Sequence, residues 1–180
     1  MFWELNLSWL TPQLAVGGRF PMEAAPFLGG ELGVRHVVDL RLEDRDEEQV
    51  LRREGIALLH LPTPDMSPPT QRMLWQGVEW VAPLIRDGHK VYVHCEFGIG
   101  RSALLCLCLL VHTGMDPVDA LAMAKQKRPV VSPSPEQLNA YLAFLTEWKR
   151  RYRAPWEVPT FDALAEIAYS HLRQVAKGEA

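Results

Sequence analysis

Lys90-Val91-Tyr92-Val93-His94-Cys95-Glu96-Phe97-Gly98-Ile99-Gly100-Arg101-Ser102, followed by an apolar run from Ala103 to Val111, is the stretch from which the rest of the chain can be read. It begins as a short β-branched strand, passes through a glycine-bearing loop and enters a hydrophobic helix. A loop that runs into a helix N-terminus presents unpaired backbone N–H groups and the positive end of the helix dipole, so it suits an anion. Gly98 and Gly100 let the backbone turn inward and approach a ligand closely. Arg101 adds a planar, permanently charged fork that fits two phosphate oxygens. Cys95 lies at the mouth of that field, which favours its thiolate. Loop and thiol together describe a phosphate cradle with a nucleophile at its floor. A structural cysteine beside a tight turn accounts for the glycines but leaves Arg101 and Ser102 without a reason.

Working outward, strands alternate with helices. Leu5–Val16 reads as one or two short strands closed by Gly17-Gly18, Met22–Leu32 as a helix ending at Gly33, and His36–Leu40 as a buried strand. The acidic cluster Glu43 to Glu48 reads as a solvated helix start, ended by Gly55, with Ile56–Leu61 as the next strand. Pro62–Pro69 is a proline-held loop. Ser67 is the expected N-cap of a helix carrying Leu74, Val78, Val81 and Ile85, with Pro83 expected to kink or shorten its end. Beyond the central helix, Asp116-Pro117 starts a helix to about Lys127, Arg128–Pro135 is a loop, Glu136–Arg151 is a long helix and Phe161–Val175 a last one. The pattern predicts an α/β fold with a central, largely parallel sheet covered by helices on both faces. The Cys95 loop, at a strand's carboxyl end, lies where such sheets bind ligands. The expected division is a domain over 1–152 and a C-terminal helical extension over 153–180 packed on it.

The chain's 180 residues suffice for one full core, and 48% hydrophobic with 23% charged residues is an ordinary soluble composition. A formal net charge of −3 without a basic block argues against nucleic acid as a partner. Three cysteines, two of them in one apolar helix, make no disulfide framework and fit a reducing, cytoplasmic setting. The start Met-Phe-Trp-Glu lacks a basic n-region, and Ala103–Val111 is too short to span a bilayer, so neither export nor a membrane is expected. Cys106 and Cys108, two apart on a helix, face different ways and cannot readily share an ion. Cys108 and His112, four apart, read as core, and no metal is expected.

The order His94-Cys95-x-x-Gly98-x-x-Arg101-Ser102 resembles the signature of the cysteine-based protein tyrosine phosphatase superfamily, in a compact, dual-specificity-like form. The resemblance covers roughly Leu5 to Arg151. It implies a phosphatase without metal or cofactor that works through a phosphocysteine on a phosphorylated protein or peptide, phosphotyrosine first and phosphoserine or phosphothreonine beside it, as a monomer. It also implies roles: Cys95 as nucleophile and Arg101 with the loop Glu96, Phe97, Gly98, Ile99 and Gly100 as the phosphate site. Ser102 is the hydrogen-bond donor that eases thiolate departure, and His94 orients the loop. Asp65, in Thr63-Pro64-Asp65-Met66-Ser67-Pro68, matches the family's general acid on a movable loop; by itself an aspartate in a proline-rich turn is ordinary. Gln137 matches a glutamine that positions hydrolytic water, and equally completes a capping box with Ser134; both readings stand at this point. Arg128 either holds the loop or touches substrate, or is simply solvated.

Three alternatives come from other classes. Ile99 stands where phosphoinositide-directed members carry lysine, which disfavours a lipid headgroup. Rhodanese-like sulfur transferases have a shorter loop and no acid loop. A non-catalytic phospho-binding module needs neither a thiol nor an acid.

Overall fold

The computed structural model describes residues 3–178, with side chains to 174, so the ends of the expected 1–152 and 153–180 segments lie outside the described residues. Five strands form one sheet: β1 (Leu7–Trp9), β2 (Leu14–Gly17), β3 (Val34–Arg41), β4 (Ala57–Thr63) and β5 (Lys90–His94). Their spatial order is β1-β2-β5-β3-β4, antiparallel only between β1 and β2. The cysteine-bearing β5 is therefore the central strand, hydrogen-bonded on both edges as its β-branched run requires.

The two-residue period of the strands builds a core on each face. Leu14, Val16, Val38, Leu40, Val91 and Val93 face one side, while Ala15, Val34, Val37 and Tyr92 face the other. The second side is covered by α1 (Ala25–Gly30, preceded by a 3₁₀ turn at Met22–Ala24) and α2 (Glu48–Arg53). The first carries α3 (Gln71–Arg86), α4 (Arg101–His112), α5 (Pro117–Lys127), α6 (Pro135–Tyr152) and α7 (Phe161–Ala168), with α8 (Ser170–Gly178) next in the chain.

Helix α4 is apolar all round because it is buried all round, every residue from Arg101 to Val111 being enclosed. Its Leu104, Leu105, Leu107, Leu109 and Leu110 each contribute about 1.5–3 kcal/mol on burial. The helix N-terminus, and with it the end of the Cys95 loop, is thus anchored rigidly. Helix α7 joins the same core through Leu164 and Ala168.

Two local expectations are corrected. Thr70, not Ser67, caps α3: its hydroxyl accepts the Met73 N–H at 3.1 Å, because Pro68 and Pro69 hold the chain extended beyond Ser67. Pro83 stands, as expected, before a short terminal turn of α3 that ends at Arg86. The acidic cluster is not a solvated helix start. Helix α2 begins only at Glu48, and the residues before it form a loop that buries Asp46 while Glu43, Asp44 and Glu47 stay exposed. Buried cations on β3, β5 and α4 take up its carboxylates.

Candidate active site

Strand β5 ends at His94 and α4 begins at Arg101, leaving six residues to turn between them. Gly98 adopts φ +70°, and a Cβ there would collide with the backbone of Gly17, so the position accepts only glycine. The loop is held from behind by its carbonyls. Arg128 donates to Gly98 O at 2.8 Å and to Phe97 O at 2.9 Å, and Ser132 N donates to Ile99 O at 2.9 Å. In a planar trans peptide the C=O and the adjoining N–H point opposite ways. The amides of Gly98, Ile99 and Gly100 are thereby turned to the other side, where Cys95 Sγ lies, and Gly98 N donates to Sγ at 3.3 Å. Arg128 is itself buried and anchored to Asn6 Oδ1 and Ser8 Oγ at 2.7 and 3.1 Å, so the loop-holding reading describes it and the solvated one does not.

Burial pushes the Cys95 thiol up, but hydrogen bonds from Ser102 and Gly98 and the charge of Arg101 outweigh it, and the net shift is downward. Ser102 Oγ lies 3.3 Å from Sγ. Cys106 and Cys108 lack such partners, and burial moves both upward. Only Cys95 is electrostatically prepared as a thiolate.

Arg101 is almost fully buried and held by partners from two other segments. Glu43 binds it in bidentate fashion, Oε2 to Nη1 at 2.7 Å and Oε1 to Nη2 at 2.6 Å, and Thr63 O accepts from Nη1 at 2.9 Å. The hydrogen bond with Arg101 holds the Glu43 carboxyl below its ordinary range. Asp65 Oδ1 stands 3.3 Å from Nη2 with its side chain 61% exposed. Arg101 Nε is buried without a partner, a donor in reserve on the face of the fork turned from Glu43.

His94 faces away from the mouth. One ring nitrogen meets Cys95 O at 3.1 Å and the other meets Asp46 at 2.6 Å, both deep in the protein. Burial alone lowers the His94 pKa, yet Asp46 and Asp39 raise it overall. Arg41 sits in the same pocket, bound to both Asp39 oxygens at 3.0 Å and to Asp46 at 2.8 Å. Two buried carboxylates against one arginine balance only when His94 is protonated. Asp39, Asp46 and His94 lie close enough to hold an ion, but their free oxygens already face the Arg41 guanidinium.

This arrangement carries a sign. A histidine with a raised folded pKa stabilises fully below its unfolded value and loses that contribution as pH rises through the folded one. Asp46→Asn is expected to destabilise the fold by roughly 3–5 kcal/mol near pH 6, the range for breaking a buried pair. The gap from wild type should narrow at higher pH. Thermal melts across pH measure it, and a constant gap would mean that His94 is neutral in the fold.

Gln137 forms the capping box, its Oε1 accepting Ser134 N at 2.8 Å and its own N–H donating to Ser134 Oγ at 3.2 Å. It also lies against Gly100, where a Cβ would strike its amide, and its Nε2 donates to Ser67 O at 3.0 Å on the Asp65 loop. One residue thus caps α6 and touches both loops. The Glu96 side chain turns to Arg19 at 3.0 Å, so only its backbone belongs to the cradle. Phe97 and Ile99 project outward.

The structure therefore brings Asp65, His94, Cys95, Arg101, Ser102 and Gln137 into one region. Sequence reasoning missed Glu43, Asp46 and the Asp39–Arg41 pair. The available signal was topological: β3 lies beside β5, so the loop leaving the carboxyl end of β3 meets the loop that carries Cys95.

A family model described as dual specificity phosphatase, catalytic domain, matches residues 23–150. Mouse laforin (Mus musculus) is 39% identical over 87 residues, 46% of this chain and 26% of laforin. Human (Homo sapiens) dual specificity protein phosphatase 1 is 33% identical over 70 residues, 38% of this chain and 19% of that protein. The matched segment is thus about a quarter or less of either relative's length. Among solved structures, PTPMT1 in complex with PI(5)P superposes with a TM-score of 0.76 at 24% identity, covering 81% of this chain and 98% of that one. Tk-PTP in the active form gives 0.71 at 24% identity, covering 81% and 97%. Both share the fold.

Proposed function

The chain belongs to the dual specificity phosphatase catalytic-domain family, and from that premise we propose that it hydrolyses phosphomonoesters without a metal, through a phosphocysteine, with phosphotyrosine in protein or peptide as the main substrate and phosphoserine or phosphothreonine beside it. One observation carries the reading: Cys95 Sγ receives hydrogen bonds from Ser102 and Gly98 inside a helix-N-terminal amide ring that Arg101 closes.

The phosphoryl group enters with its three non-bridging oxygens on the amides that succeed Cys95 and on the free fork of Arg101. The fork consists of Nε, which has no partner, and the second N–H of Nη2, which Asp65 faces at 3.3 Å while the first goes to Glu43 Oε1 at 2.6 Å. Glu43 and Thr63 keep the far side of the guanidinium fixed, so little reorganisation is needed. The Sγ lone pair attacks phosphorus as the P–O bond to the leaving group breaks. Asp65, freed from Nη2, delivers its proton to that oxygen. Water then attacks the phosphocysteine, Asp65 takes its proton, and the S–P electron pair returns to Sγ, where the Ser102 hydroxyl stabilises it. Gln137, lying over Gly100 and the Asp65 loop, orients that water.

A thiolate nucleophile suits a reducing compartment such as the cytoplasm. No helix among the described residues is long and apolar enough to cross a membrane. We take the protein to act as a monomer, with the segment beyond 152 packed on the domain as an extension through α7, whose Leu164 and Ala168 join the core.

A second reading, a phosphoinositide substrate, draws on the PI(5)P bound by the PTPMT1 relative. A panel of phosphotyrosine and phosphoserine peptides, phosphoinositides and inositol phosphates, assayed in EDTA, tests both. Peptide turnover undiminished by the chelator is expected; a strict need for added divalent ion would sink the mechanism.

A further inference from the structure

Seven large apolar side chains stay exposed among the described residues, and five of them lie on the loops that meet around Cys95: Leu42, Met66, Phe97, Ile99 and Val130. They come from four loops tied edge to edge. Leu42 N donates to Thr63 O at 3.2 Å, Ser134 Oγ to Met66 O at 2.9 Å, Arg128 to Phe97 O at 2.9 Å, and Ser132 N to Ile99 O at 2.9 Å. An exposed apolar cluster of this kind marks a binding surface rather than scatter. Its charge is one-sided. The segments 42–44, 64–67, 96–100 and 129–132 carry the exposed carboxylates Glu43, Asp44 and Asp65 and no exposed lysine or arginine. Of the flanking cations, Arg19 is paired to Glu96, Arg45 faces Glu48 and Lys127 is exposed three residues before Val130, while Glu43, Asp44 and Asp65 each meet an arginine from one side only. Next to these segments, the guanidinium turned toward Cys95 is the buried Arg101, with Arg128 buried behind the loop.

Resting on the phosphatase reading, we propose that this rim is a docking surface for phosphopeptides whose phosphorylated residue is flanked by large apolar side chains and not by acidic ones. One phosphate is received by Arg101 and the amide ring. The neighbouring peptide side chains lie on Phe97, Ile99, Met66 and Val130, and the rim carboxylates repel further negative charge and tolerate basic residues. The same carboxylates disfavour an anionic lipid surface, for which an apolar rim needs cations beside it.

The test uses three phosphotyrosine peptides differing only in flanks: leucine and phenylalanine, serine and asparagine, or aspartate and glutamate. Beside them stand a small aryl phosphate and a phosphoinositide in phosphatidylcholine vesicles. The apolar peptide should exceed the acidic one in kcat/KM by about 10–100-fold, the scale of one or two apolar contacts. In Met66→Asn with Val130→Ser, a pair outside the catalytic machinery, the apolar advantage should fall severalfold while aryl phosphate turnover persists. Asparagine suits the positive φ at Met66. A flat or acid-favouring series with aryl phosphate still hydrolysed overturns the docking proposal and leaves the phosphatase reading intact. So does faster turnover of the vesicle lipid than of every peptide. Failure on the aryl phosphate as well overturns the phosphatase reading itself.

Discussion

Cys95→Ser is expected to remove turnover while leaving phosphate-ester and vanadate binding in place. The amide ring, the Arg101 fork and the clamps on both are built without Sγ, so the anion site survives the exchange. A serine hydroxyl, by contrast, does not ionise under the influences that lower the Cys95 pKa. The loss should be on the order of 10⁴-fold or more, comparable to removing the nucleophile of other covalent enzymes. Two further readouts belong to the same experiment. Iodoacetate should alkylate the wild-type protein at Cys95 at a pH where ordinary thiols are still protonated. Cys106 and Cys108, buried and shifted upward, should stay unreacted in the fold. Trapped phosphoenzyme should carry its phosphate at Cys95 and disappear in the variant. Residual turnover near the wild-type rate would transfer the nucleophile elsewhere.

What the sequence makes legible and what it hides divide by range. Cys95 to Ser102 is a local construction of strand, two glycines, arginine and helix start, so spacing alone exposes it. The largely parallel sheet is legible in the alternation of strands and helices for the same reason. Glu43 and Asp46 act on residues 58 and 48 positions away, and nothing in the run Glu43 to Glu48 distinguishes a solvated helix start from a loop folded onto buried cations. Arg128 is hidden likewise: its partners include Asn6, 122 residues distant, and only the closed fold shows that it is buried. Ser67 against Thr70 is a different failure. Both are plausible caps, and the choice depends on where two consecutive prolines release the chain into helix. Gln137 is a case where the capping box is legible locally, while the contact of its amide with Gly100 is not, because it depends on how two loops meet.

Asp65→Asn separates proton delivery from all other contributions. The side chain lies mostly in solvent, 3.3 Å from Arg101 Nη2, and caps no helix, so its exchange should leave the melting temperature nearly unchanged. A tyrosine or serine oxygen needs its proton nearly fully delivered in the transition state, whereas an activated phenolate leaves without one. Turnover of phosphotyrosine peptides should therefore fall by about 10²–10⁴, the usual yield of general acid catalysis, and much less on an activated aryl phosphate. Binding should hold or tighten, since the exchange removes a negative charge from the Nη2 donor that the phosphate must share. The pH profile adds a second test. Wild type depends on a proton carried by Asp65 for leaving-group departure, so its rate on peptides should decline on the alkaline side. The variant should lose that descending limb. Stability offers no alternative route to the same pattern, because an unfolded fraction slows every substrate equally and leaves the pH profile in shape. A nearly wild-type rate on both substrate types would leave Asp65 as a solvated residue of a proline-rich turn, and Glu43, held ionised against Arg101, could not take its place as the acid.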